Sequence, residues 1–132
     1  MGFWFEFDPG NKVLLVRVEG RLTDELLGET QGAIRRYSIA TDASAGIFDF
    51  TSVTEVAIST EFVRELAKQE PAMIDATRRR RIIVAPTPVT YGLARMFQMQ
   101  GERTRPLLEV VRSMEEALAA LGIESTHFAA LE

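Results

Sequence analysis

The chain has 132 residues, 46% apolar and 26% charged, with a formal net charge of −4, the profile of one ordinary globular domain that buries a core without covalent staples. It contains no cysteine, which excludes a disulfide framework, a thiolate metal site and a cysteine nucleophile, and makes a reducing cytoplasm the expected location. The negative balance gives no general attraction to nucleic acid, and no apolar run approaches the roughly 18 residues of a membrane span.

Residues 1–8 lack the basic start and apolar run of a secretory signal. Instead Phe3, Phe5 and Phe7 alternate with Trp4, Glu6 and Asp8, which predicts a strand. Asp8-Pro9-Gly10-Asn11 is a turn signal, and residues 13–18 read as a second strand, so the chain should open with an antiparallel hairpin. Thr23 offers an N-cap, Asp24 and Glu25 suit the positive end of a helix dipole, and Leu26, Leu27 and Ile34 supply an apolar stripe ending near Tyr37. Residues 45–50 form a short apolar run of the buried-strand type. Residues 59–69 carry Phe62, Val63, Leu66 and Ala67 at helical spacing, with Pro71 beyond to stop the helix.

Residues 81–85 predict another buried strand, and Thr87-Pro88 after it has N-cap and N1 chemistry. Val89, Leu93, Met96 and Phe97 would form that helix's apolar face. Residues 107–111 follow as the last expected strand, and Ser113 with Glu116 reads as a capping box for a closing helix that Gly122 ends. The order is strand, strand, then helix and strand in alternation. It predicts an α/β fold with a largely parallel sheet of about five strands flanked by about four helices. One domain is expected over residues 1–124, with residues 125–132 as a loosely held tail.

The segment from Asp49 to Thr60 resembles the signature of STAS domains, the anti-sigma-factor antagonist family with the SpoIIAA-like fold. In that family a strand ends in Asp-Leu-Ser-Gly-Val, a short apolar stretch follows, and a helix opens at Asp-Ser-Ser-Gly, whose second serine is the phosphorylated switch. Asp49 falls on the strand-end aspartate, Val53 and Thr54 on the middle, and Ser59 on the switch serine. Ala57, Ile58 and Thr60 stand where the family has aspartate, serine and glycine, so the polar surroundings of the switch are absent. Residues 81–86, 92–97 and 111–117 resemble a bacterial branch of SpoIIAA-like proteins, and the likeness extends over nearly the whole chain. It implies the fold, and a regulatory role that membership of a fold does not assign by itself.

Four groups of residues are candidates for chemistry. Ser59, as an expected helix start, would place a phosphate against unpaired backbone N–H groups, or else act as a plain N-cap. Asp49 and Thr51 at a strand's carboxyl end, with Thr87, Thr90 and Tyr91 at the next, could line a ligand rim, or could satisfy local backbone groups. Arg95, with Arg103 and Arg105, could gather an anion, or pair with Glu102 or Glu109. The run from Arg78 to Arg81 could meet phosphate, or be a solvated strand entrance. Met99 is the apolar residue of the third helix best placed to meet a partner. His127 is the only histidine and lies in the tail without a convincing acid or serine partner, so neither a catalytic triad nor a histidine metal site is expected.

The reading is a non-enzymatic regulatory or interaction domain that takes a protein partner or a small ligand, alone or as a homodimer, with no cofactor, no metal and no specific nucleic-acid binding. Its alternatives are a phosphorylation-switched antagonist using Ser59, and an enzyme with a site near Asp49, Thr87, Tyr91 and Arg95.

Overall fold

A computed structural model describes residues 2–73 and 78–131. In chain order the elements are β1 (Phe3–Asp8), β2 (Val13–Thr23), α1 (Asp24–Ala40), β3 (Ala45–Ala57), α2 (Thr60–Lys68), β4 (Arg80–Val84), α3 (Pro88–Gln100), β5 (Leu108–Val111), α4 (Met114–Ala120) and β6 (Ala129–Leu131). The sheet runs β5-β4-β3-β2-β1-β6. From β2 to β5 every pairing is parallel, while β1 is antiparallel to both β2 and β6.

The hairpin forms because the Asp8 carboxylate organises its own turn. It accepts from the backbone N–H of Gly10 at 3.0 Å and of Asn11 at 3.1 Å, and from Asn11 Nδ2 at 2.7 Å. Strand alternation then sends one set of side chains to each face. Phe5, Leu14, Val16 and Ala33 form one cluster and Val18, Leu22, Leu27 and Leu66 another, both under the α1–α2 layer. Ile83, Ala85, Ala94 and Leu108 continue that layer beneath α3. Val13, Leu15, Ile47, Ile82 and Val84 point to the opposite face, where Ala117 and Leu118 of α4 and its C-cap Leu121 cover them.

Three differences from the sequence reading follow from pairing and capping details that a local pattern does not show. β2 and β3 run well past Val18 and Phe50, paired from Val13↔Ala45 to Thr23↔Ala57. The register shifts twice, between Arg17 and Glu19 and between Gly20 and Arg21, and Gly20 takes φ +75, so the ladder passes through an irregularity instead of ending. The segment expected to be a loose tail is tied down: β6 pairs Phe5↔Leu131 and Phe7↔Ala129, and Asn11 Nδ2 donates to Ser125 O at 2.9 Å. Glu132 lies outside the described residues.

The third difference is at α4. Ser113 accepts from Glu116 N at 3.1 Å, but the Glu116 carboxylate accepts from Arg112 N and so does not close a capping box with Ser113. The reciprocal capping box occurs at α3, between Thr87 and Thr90. Gly122 does end α4, with φ +71 in the left-handed region.

Candidate functional site

The parallel β2 and β3 end side by side and lead into α1 and α2, so two helix starts lie together. Ser59 is the N-cap of α2, with its Oγ accepting from Phe62 N at 3.0 Å. Asp24, the first residue of α1, reaches across: its Oδ1 accepts from Ser59 N at 3.2 Å and its Oδ2 from Ser59 Oγ at 3.3 Å. The serine hydroxyl is therefore exposed, yet it is engaged as acceptor by its own helix and as donor by its neighbour's carboxylate. Such a cap stabilises the helix by about 1 kcal/mol. A phosphate on Ser59 would gain the α2 N-terminus but stand against the negative charge of Asp24.

Asp49 lies in the middle of β3, since the strand continues to Ala57. The residue is only 2% exposed. Oδ1 accepts from the N–H of Thr51 at 2.9 Å and from the Thr51 hydroxyl, and Oδ2 lies 3.6 Å from Arg17 Nη1. Arg17 Nε in turn donates to Glu6 at 2.9 Å, and the same Glu6 oxygen accepts from Trp4 Nε1 at 3.0 Å. A polar chain thus crosses β1, β2 and β3 from the half-exposed Trp4 to the buried Asp49. In the sequence Arg17 is no more than a charge within the strand read over residues 13–18.

Thr87 and Thr90 are occupied in starting α3. Thr90 N donates to Thr87 Oγ1 at 3.1 Å, Thr87 N to Thr90 Oγ1 at 3.2 Å, and Thr90 is buried. Tyr91 lies beneath the Arg112 guanidinium, 4.1 Å from its ring centroid. Arg95 is exposed and donates to Gln98 on the next turn. Among the described residues no hydrogen bond or ion pair joins the Asp49–Thr51 pair to Thr87, Thr90, Tyr91 or Arg95.

Arg105 does not join Arg95. It is 3% exposed and lies over Phe97, 4.6 Å from the ring centroid. Its guanidinium donates to the carbonyls of Ala67 at 2.9 Å, Gln69 at 3.1 Å and Leu66 at 3.3 Å. All three carbonyls lie at the C-terminal end of α2, the negative end of its dipole, where Leu66 O also accepts from Gln69 N at 3.2 Å. Arg80 does the same for α4, donating to Ala120 O while pairing with Glu109. One member of the arginine run is thereby a helix cap. Burial lowers the Arg105 pKa from its ordinary value, and burial together with the neighbouring Arg105 lowers that of Arg81 to about 10.

His127 is exposed, and its backbone N–H donates to Asp8 Oδ2 at 3.0 Å. Met99 is exposed at 66% on α3, and Val89, assigned above to that helix's apolar face, is exposed at 58%. Among the described residues no cluster of histidine, aspartate and glutamate could hold a metal ion, and no helix is long and apolar enough to cross a membrane.

No protein-family model matches the sequence, and no curated protein matches it either. Among solved structures the chain is similar to the anti-sigma factor antagonist SpoIIAA in its unphosphorylated form. The TM-score is 0.59 at 16% identity, over 93% of this chain and 99% of that one. It is also similar to the Bacillus cell fate determinant SpoIIAA in the phosphorylated form, with a TM-score of 0.53 at 19% identity, over 90% of this chain and 98% of that one. The fold is that of SpoIIAA, the STAS fold, as the Asp49 to Thr60 segment implied.

Proposed function

We propose that this protein is a non-enzymatic regulatory domain that binds a protein partner through the exposed surface where α2 begins, around Ser59, Thr60 and Glu61. The observation that carries the reading is the paired helix start. Ser59 and Asp24 tie the starts of two helices together and leave an exposed polar ledge above the carboxyl ends of β2 and β3. The likeness to structures described as an anti-sigma factor antagonist supports a regulatory role of this kind. So does the placement of the other polar candidates, whose hydrogen bonds serve strand and helix construction.

In this reading Ser59 works as a cap in the resting protein, and a phosphate-driven switch has the Asp24 carboxylate to overcome. The test is affinity capture with three forms of the protein: unmodified, Glu61→Arg in the first turn of α2, and Glu115→Arg in the first turn of α4. A partner held by the first and third and lost by the second supports the reading. Equal capture by all three contradicts it.

A further inference from the structure

Arg81 and Arg105 belong to separate basic stretches of the sequence, and the fold brings both to one cavity on the helical side of the sheet. Arg81 leaves β4 opposite Gly46 of β3. A Cβ at Gly46 would stand 3.7 Å from Arg81 Cγ and 3.3 Å from Met73 Sδ, so the bare glycine gives the arginine stem room to lie against the sheet. Gly101 makes room for Arg105 in the same way, since a Cβ there would stand 3.0 Å from its Nη1. Neither glycine has a positive φ, so close approach and not backbone conformation is what each position requires.

The cavity is half-open, with a volume of about 80 Å³, and Phe5, Leu14, Val16 and Ile83 are among its apolar walls. Gln31 is the one further polar side chain among the described residues that line it, and none of those residues is acidic. An apolar cavity with a few convergent polar groups is the usual form of a small-ligand site. The two cations select the sign of the ligand. Burial, and after it the nearby Arg105 charge, lower the Arg81 pKa to about 10, which still leaves it charged near neutral pH. Two like charges beside apolar surface are both relieved by an anion placed next to them.

The part Arg105 plays in ending α2 leaves it able to contribute. Its Nη1 and Nη2 groups donate to the carbonyls of Leu66, Ala67 and Gln69 and to Thr104 Oγ1, whereas its Nε–H makes no hydrogen bond with a described residue. Guanidinium groups suit a carboxylate, whose two oxygens match their planar arrangement of donors. The volume limits what the carboxylate carries. It is about half of the ~150 Å³ that takes up benzene, which is room for about three carbons.

We propose that this cavity is a binding site for a small organic anion, a carboxylate on a short aliphatic chain, with the chain against Leu14, Val16 and Ile83 and the carboxylate against Arg81 and Arg105. The site shares no residue with the Ser59 surface and does not depend on the protein-binding role above.

The experiment is an NMR titration of the full chain, at constant ionic strength, with isobutyrate, with the uncharged isobutyramide of the same shape, and with inorganic phosphate. The expected result is saturable shifts for isobutyrate centred on Gly46, Ile83 and Phe97, with isobutyramide weaker by about tenfold or more. Arg81→Met, which keeps the apolar stem and removes the charge, should weaken isobutyrate by about tenfold or more. Arg81→Lys, which keeps the charge without the planar fork, should recover part of that loss. If Arg81→Met does not fold, the ratio of isobutyrate to isobutyramide on the unmodified protein decides. Equal binding of acid and amide, unchanged isobutyrate affinity in Arg81→Met, shifts that do not saturate or that lie elsewhere, or displacement of isobutyrate by phosphate would each overturn the inference.

Discussion

Replacing Asp8 with asparagine tests how the fold holds its outer edge. The wild-type carboxylate is fully buried and accepts four hydrogen bonds: two from Asn11, one from Gly10 and one from His127 N. Burial works against the charge, but the bonds from Asn11, His127 and Gly10 outweigh it and hold the Asp8 pKa down to about 2. The hairpin turn and the segment leading into β6 thus share one anionic anchor. In Asp8→Asn the charge is gone and an NH₂ group faces donors.

With charge-assisted hydrogen bonds contributing about 1.5–3 kcal/mol each and adding incompletely, the expected loss near neutral pH is about 3 kcal/mol. For a chain of this size that lowers Tm by roughly 10 °C. The sign of the pH dependence follows from the depressed pKa. The contribution is complete above the unfolded-state value of 3.8 and is lost as pH falls through about 2. Urea unfolding of both proteins near neutral pH and in acid should therefore show a gap that narrows over that window. A gap below about 0.5 kcal/mol at neutral pH, within the scatter of ordinary surface substitutions, or one that stays constant in acid, would refute the anchor.

Arg105→Met should destabilise by about 2–4 kcal/mol, because it removes the cap of α2 and the stacking on Phe97. Arg105→Lys should recover only part of that in thermal unfolding, since an ammonium cannot reach three carbonyls as a planar fork does. Ser59→Ala should cost about 1 kcal/mol as a lost N-cap. Ser59→Asp should be less stable than a capping aspartate would suggest, and Asp24→Asn should rescue it in a double-mutant cycle by about 0.5–1 kcal/mol. Gly28→Ala and Gly32→Ala should each raise stability by about 0.5–1 kcal/mol in urea melts, with no clash at Gly28 and only Arg36 Nη1 3.8 Å from a Cβ at Gly32.

The parts of the fold that were legible in the sequence are those written in local chemistry. Asp8-Pro9-Gly10-Asn11 specified the hairpin, Thr23 the start of α1, Ser59 the start of α2 and Thr87-Pro88 the start of α3. What was not legible depends on residues far apart along the chain. The continuation of β2 and β3 past Gly20 depends on pairing across both strands, and β6 on a partner more than 100 residues away. Arg105 reads as a surface arginine until α2 is placed beside it, 36 to 39 residues distant.

The candidate site divides in the same way. Ser59 was readable as a cap because a cap is a contact three residues long, whereas the Asp24 carboxylate that faces it comes from another helix. Asp49 reads as a strand-end residue, because the run from Ala45 to Phe50 does not show that β3 continues to Ala57. Its chain of partners through Arg17 and Glu6 to Trp4 needed three strands in register.

The proposed role is tested most directly by the affinity of the captured partner, measured by calorimetric titration against the unmodified protein, Glu61→Arg and Glu115→Arg. The account predicts that Glu61→Arg weakens binding about tenfold or more, as expected for a charge reversed within a contact, while Glu115→Arg binds as the unmodified protein does. Equal affinity for all three would place the partner elsewhere on the molecule and contradict it.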